Sequence, residues 1–369
     1  MGLMEKRSPE EKVITKAWKR PLQLAATLAV LLLGLGRGAA AQVREDDDRD
    51  DQRRSTAEDF LRLKVGPIAI GHHGVGPYTD TSAGFPIQNT VESVEQAYRL
   101  GARVVEVDVQ LTADGKLAVY HDDYLSDFTC LKSLTLQQLQ ERLPYVPELR
   151  DILRIARHFN RENPDKLDGI LIVELKAFSP HCDPDDVFER PLVAAAVDAI
   201  RDARMTKQAI FDSSSPALLD LTLQKAPEIP RELDLDGLQL LSPAEIEAVT
   251  GLPVTIISKK ISLGLTWADI GPVYRLPGYA SPGQFLATAM AVQASAVGGE
   301  MDFFGPAEQQ QPGSGAAFVA GAHALGLKVF ADPANVEADW DFFASLGVDA
   351  IYSTIPMGVE LEAKIPDRY

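Results

Sequence analysis

Cysteine is almost missing from this chain of 369 residues; only Cys130 and Cys182 occur. That leaves room for one disulfide or two buried thiols. No Cys-x-x-Cys pair or zinc-type cysteine–histidine spacing exists. No glycine-rich fingerprint follows the first strand candidate, which removes a dinucleotide fold. No nucleophile elbow surrounds the serines at 213–215, so covalent serine catalysis has no support there. Positive charge is also scarce, with 36 Lys and Arg against 53 Asp and Glu for a net of −17. Such an excess disfavours nucleic acid and anionic membrane surfaces as partners.

The first 41 residues differ in kind from the rest. Lys6, Arg7, Lys12, Lys16, Lys19 and Arg20 form a basic start, Pro21 to Gly36 runs without charge, and Ala39-Ala40-Ala41 offers a cleavage site before Gln42. That is the layout of a secretory signal peptide over 1–41, and it places the mature protein outside the cytoplasm, secreted or periplasmic. The uncharged run is shorter than the roughly 20 residues a membrane-spanning helix needs. No cysteine follows it to carry a lipid. Residues 42–59 read as a charged, disordered linker, since 44–54 contain no apolar residue.

From residue 60 to 369 short apolar runs alternate with helical patterns. Strand candidates are 65–71, 103–111, 117–120, 169–175, 208–211, 254–258, 294–298, 327–331 and 349–353. A helix over 90–100 buries Val91, Val94, Ala97 and Tyr98, with Asn89 and Glu92 as its cap and Gly101 at its end. A second, over 148–159, puts Leu149, Ile152, Leu153, Ala156 and Phe159 on one side. This alternation predicts a parallel α/β architecture, and about eight units favour a closed (β/α)8 TIM barrel in a single domain. Residues 225–250 and 259–284 resist assignment.

The most informative segment is Glu106-Val107-Asp108, inside a run that otherwise reads as a buried strand. Valines 105, 107 and 109 point one way, so both carboxylates share the opposite face. Two carboxylates losing water side by side call for a cation. Other polar groups fall at the C-terminal ends of neighbouring strands: Gly71-His72-His73-Gly74, Gln88-Asn89-Thr90, Val119-Tyr120-His121-Asp122 and Glu174-Leu175-Lys176. The C-terminal end is where a barrel carries its active site.

This order resembles the glycerophosphodiester phosphodiesterase family, whose barrel carries HRG, ENT, ExD, HD and ElK elements. The likeness is strongest over residues 66–130 and continues through Val173-Glu174-Leu175-Lys176 to the C-terminus. It implies that Glu106, Asp108 and Glu174 bind a divalent metal, with oxygen donors suiting Mg²⁺ or Ca²⁺. It also implies that His72 and His121 are an acid/base pair, and that Lys176, Asn89 and the residue at 73 face the substrate phosphate. The substrate is then a small phosphodiester, and a membrane lipid enters only as substrate. The chain departs from the pattern in places. His73 stands for the arginine after the first histidine, Gln88 for the glutamate of ENT and Asp127 for a later arginine. Phe330-Ala331-Asp332 and Ser353-Thr354 replace the closing elements.

Three functions are therefore weighed: hydrolysis of glycerophosphodiesters, a phospholipase D-like activity on lysophospholipids or sphingolipids, and a barrel that binds a phosphate or polyol without turnover. The second wants an apolar groove, for which Trp267, Tyr274, Tyr279, Phe285, Phe303 and Phe304 are the candidates.

Overall fold

The computed structural model describes residues 55–64, 66–76, 85–162, 169–179, 182–235, 239 and 278–354. The expected signal peptide, residues 42–54 of the linker, the strand candidate 254–258, His181, Trp267 and Tyr274 lie outside them.

The strands are β1 (Ile68–Gly71), β2 (Val104–Leu111), β3 (Leu117–Val119), β4 (Ile170–Leu175), β5 (Ala209–Ser213), β6 (Arg231–Leu233), β7 (Ala296–Val297), β8 (Lys328–Ala331) and β9 (Ala350–Ser353). They pair in the order β1-β9-β8-β7-β6-β5-β4-β2-β3, and a parallel β1–β2 pairing closes the ring. The closed parallel barrel with surrounding helices is the TIM-barrel architecture expected.

Alternation along β2 sorts the side chains. Val105, Val107 and Val109 join Val94, Ala97, Ile152 and Leu153 in the shell between strands and helices. Val104 points into the barrel, where Ile68, Ile70, Ile170, Ile172, Ile210, Ala296, Phe330 and Ala350 fill the lower half. A short helix, Ala57–Arg62, closes that lower end by placing Phe60 5.6 Å from the Phe330 ring. Thr56 and Asp59 form its capping box. Residues 57–59, inside the span expected to be linker, are thus helical, because Ala57 and Phe60 have an apolar floor to cover.

The strand expected over 117–120 is present as β3, which is no barrel stave: it pairs antiparallel with the far end of β2, Val109 opposite Val119. Two further readings are completed or corrected. The stave β6 lies in a stretch left unassigned. Its three residues are Arg-Glu-Leu and show no apolar run, since Glu232 turns inward and Arg231 donates to the carbonyls of Ile229, Val292 and Gln293. Finally, the helix Val91–Arg99 is capped by Thr90 with Ser93, which frees Asn89 for the interior.

Cys130 and Cys182 form a disulfide with Cα atoms 5.4 Å apart. It ties the loop after β3 to the loop after β4, beside Asp123, whose Oδ2 accepts from both the backbone N–H and the hydroxyl of Ser179.

Candidate active site

The upper half of the barrel interior is polar. Register sets Asp108 on β2 beside Glu174 on β4, and Glu106 sits one pleat below Asp108 on the same face. One oxygen from each of Glu106, Asp108 and Glu174 can be chosen so that all lie within 4.8 Å of one another. All three carboxylates are buried. Glu106 Oε2 accepts from the backbone N–H of His73 at 2.9 Å, while Glu106 Oε1 has no hydrogen-bond partner. Asp108 Oδ2 accepts from Asn89 Nδ2 at 2.6 Å, and Asn89 Oδ1 accepts from the Asp108 N–H at 3.2 Å. Asn89 therefore holds a carboxylate in place; the resemblance had assigned it to the substrate.

Lys176 is the ammonium of this cluster. Its Nζ lies 2.9 Å from Asp108 Oδ1 and also contacts Glu174. Burial alone would discharge it, but the two carboxylates raise it well above the ordinary lysine value. Burial raises Glu106 well above the usual carboxylate range, with Asp108 and Glu174 adding repulsion. Burial likewise lifts Glu174 to about 7, against the pull of Lys176. At Asp108 burial works the same way, but His73, Lys176 and His121 outweigh it and keep the carboxyl well below its usual range. One buried ammonium beside three carboxylates leaves the set short of positive charge. An unbonded oxygen such as Glu106 Oε1 among hard donors is what a divalent cation would satisfy.

The histidines flank this cluster. His72 Nε2 is 4.0 Å from Glu106 Oε2, and its Nδ1 lies 3.3 Å from Asp332 Oδ1. The antiparallel β3 brings His121 to the same place, because Tyr120 N–H bonds the Asp108 carbonyl just before it. His121 Nδ1 meets Asp122 Oδ1 at 2.7 Å. The two imidazoles are pushed apart in proton affinity. Burial pulls His72 down to about 3, with Lys176 and His121 adding to it against Asp108. At His121 burial and Lys176 oppose charge, but Asp108 and the bonded Asp122 outweigh them and raise it. A pair split in this way suits one group to accept a proton and the other to give one.

The structure thus brings His72, His121, Glu106, Asp108, Glu174, Lys176, Asn89 and His73 into one centre. Asp127 is not part of it, since it is exposed and pairs with Arg142 at 3.1 Å. Asp332 and Glu232 went unassigned by sequence, and Glu232 forms a second acidic group with Asp212, a strand-end residue read as able to line the pocket. Asp212 pairs in register with Glu174 and with Glu232, whose Oε2 accepts from Tyr352 OH at 2.7 Å. Burial and mutual repulsion raise both carboxyls well above the usual range. Asp332 carried a signal, its displacement of a familiar element, whereas Glu232 lies on the strand with no apolar pattern. Phe285, Phe303 and Phe304 are fully buried in the outer shell.

Residues 72–240 match the sequence model of the Glycerophosphoryl diester phosphodiesterase family. The chain is 40% identical over 86 residues to the glycerophosphocholine phosphodiesterase of Eremothecium gossypii, covering 22% of this chain and 6% of that protein. It is 45% identical over 56 residues to a glycerophosphodiester phosphodiesterase of Bacillus altitudinis, covering 15% of this chain and 23% of the relative. The chain thus spans less than a quarter of either relative's length. Among solved structures, the Oleispira antarctica phosphodiesterase in complex with the product sn-glycerol-3-phosphate superposes with a TM-score of 0.54 at 20% identity, over 81% of this chain and 97% of that one. At that identity the likeness speaks for the barrel.

Proposed function

We propose that this chain, whose residues 72–240 match the model of the glycerophosphoryl diester phosphodiesterase family, hydrolyses glycerophosphodiesters to an alcohol and a glycerol phosphate. The observation that carries this reading is the meeting of Glu106, Asp108 and Glu174 within 4.8 Å, with His72 and His121 beside them.

Glu106, Asp108 and Glu174 would hold a divalent cation; their oxygens alone suit Mg²⁺ or Ca²⁺. When bound, the ion supplies charge compensation for a non-bridging phosphate oxygen. The chain's own groups do the rest. His72, held neutral by burial and steadied by Asp332, takes the proton of the attacking water. As the new P–O bond forms, the bond to the alcohol breaks. His121, kept protonated by Asp122 and Asp108, returns a proton to the departing alkoxide. Lys176 adds positive charge at the edge of the phosphate.

The protein is read as exported. The leader-like start and the Cys130–Cys182 disulfide, a bond that persists in oxidising compartments, support that placement. N-terminal sequencing of the mature protein should begin near Gln42. A full-length product confined to the cytoplasm would overturn it.

A substrate panel tests the activity. Glycerophosphocholine should be cleaved in preference to lysophosphatidylcholine, and a chelator should stop the reaction. Preference for the lysolipid would support the phospholipase D-like reading, and tight glycerol phosphate binding without turnover would support the binding barrel.

A further inference from the structure

His73, which the resemblance assigned to the substrate phosphate, also faces the acidic cluster. Its side chain is buried, with Nε2 turned to the carboxylates, 3.2 Å from Asp108 Oδ2 and 3.8 Å from Glu106 Oε2. Its other nitrogen, Nδ1, lies 3.1 Å from Gln88 Oε1. An amide oxygen only accepts, so in the neutral ring Nδ1 carries the hydrogen and the Nε2 lone pair faces two carboxylate oxygens. A lone pair and two anionic oxygens around one point repel unless a cation sits among them. Donors that share one ion at neighbouring positions lie about 3 Å apart, given bonds near 2.1 Å. The observed spacings fit that frame, and His73 forms metal-ligand groups with His72 and Glu106, and with Asp108 and His121.

The backbone fixes this aim. His73 has a φ of 54°, the left-handed region, its N–H is held by Glu106, and its carbonyl accepts from Asn89 N–H at 2.8 Å and Ser93 Oγ at 3.1 Å. The two departures from the family pattern, His73 and Gln88, are therefore a contacting pair. One can ligate a metal, which arginine cannot, and the other orients the ligand, as outer partners of metal-bound histidines do.

We propose that His73 is a fourth protein ligand, through Nε2, of the cation held by Glu106, Asp108 and Glu174, with Gln88 as its positioning residue. This rests on the metal site proposed above and extends it. One imidazole added to the carboxylates shifts preference from Mg²⁺ and Ca²⁺ toward borderline first-row ions such as Mn²⁺, Co²⁺ and Zn²⁺.

The test is binding of Co²⁺ alone and Mg²⁺ alone to the metal-free mature protein, without substrate, by calorimetry and by the visible spectrum of the Co²⁺ form. His73→Asn keeps a residue that tolerates positive φ but cannot reach the ion. It should weaken Co²⁺ binding at least about tenfold more than Mg²⁺ binding and alter the Co²⁺ spectrum. Gln88→Met should weaken Co²⁺ by roughly 10-fold to 100-fold, the usual cost of losing an outer partner. In frozen solution, Mn²⁺ in the wild type should show coupling to a directly bound nitrogen, and His73→Asn should lose it. An unchanged spectrum, affinity ratio and nitrogen coupling in His73→Asn would overturn the proposal. Because no turnover is read, an inactive protein that still shows these effects would refute the hydrolase reading alone.

Discussion

The two halves of the barrel interior are built from the same strands and obey opposite rules. Below, Ile68, Ile70, Val104, Ile170, Ile172 and Phe330 pack against Phe60 as an apolar cluster. Above, Glu106, Asp108, Glu174, Asp212 and Glu232 are just as buried, and several of their oxygens lack partners. The lower half gains from burial, at roughly 25 cal/mol per Å² of apolar area. The upper half loses by it, since every one of these carboxyls except Asp108 is held from water without full compensation. The fold thus stores in its upper half a need for positive charge that its lower half can support.

The largest effect should come from removing that need. Asp108→Asn, Glu174→Gln or Glu106→Gln should each abolish most phosphodiester turnover while the chain stays folded. Retained activity in any of them would sever the cluster from the chemistry. Next come the imidazoles. His72→Ala or His121→Ala should cost about two orders of magnitude or more in kcat, the usual weight of general acid–base catalysis. His158→Ala, on an exposed helix face, is the control; equal damage there would defeat the assignment.

Stability separates the halves by sign. Ile172→Ala in the lower half should cost about 2–5 kcal/mol as a buried cavity. Asp212→Asn in the upper half should stabilise the metal-free protein by about 1 kcal/mol, because it removes a strained carboxyl. Urea unfolding of both variants measures this, and loss of stability in both would erase the distinction. Reducing the Cys130–Cys182 bridge should cost about 2–4 kcal/mol.

The smallest effect expected is on pH. Glu174 titrates at about 7 in the folded chain, and burial raises Glu106, Asp212 and Glu232 in the same direction. A carboxyl raised on folding binds more protons folded than unfolded, so its stability contribution is present below the unfolded value and lost as pH climbs through the folded one. Below about 6.5 the lowered His72 and His73 act with the opposite sign, so metal-free protein should lose melting temperature as pH rises past about 6.5 and through 7, and a bound divalent cation should flatten that slope. A melting temperature that rises over this range would contradict the assigned shifts.

What could be read from sequence follows the same division. Val104 to Val109 announces its strand and both its faces, because alternation of apolar residues and carboxylates leaves one answer. His72, His121 and Lys176 were placed by their position at strand ends. β6 was hidden because a three-residue stave with Arg231 and Glu232 has no hydrophobic period to detect. β3 was legible as a strand, but its antiparallel place was not, because a strand's period says nothing of which neighbour it pairs with. Asn89 was read as a helix cap, a local role such residues fill well, but tertiary contact with Asp108 won. The His73–Gln88 pair could not be seen at all until the chain brought residues 15 positions apart to 3.1 Å.

The most direct test of a cation-dependent phosphodiesterase centre is glycerophosphocholine hydrolysis by the mature protein, stripped of metal and then resupplied. Activity should vanish on stripping and return with a divalent ion, but fail to return in Glu174→Gln. Full turnover by the stripped wild-type protein would contradict the account.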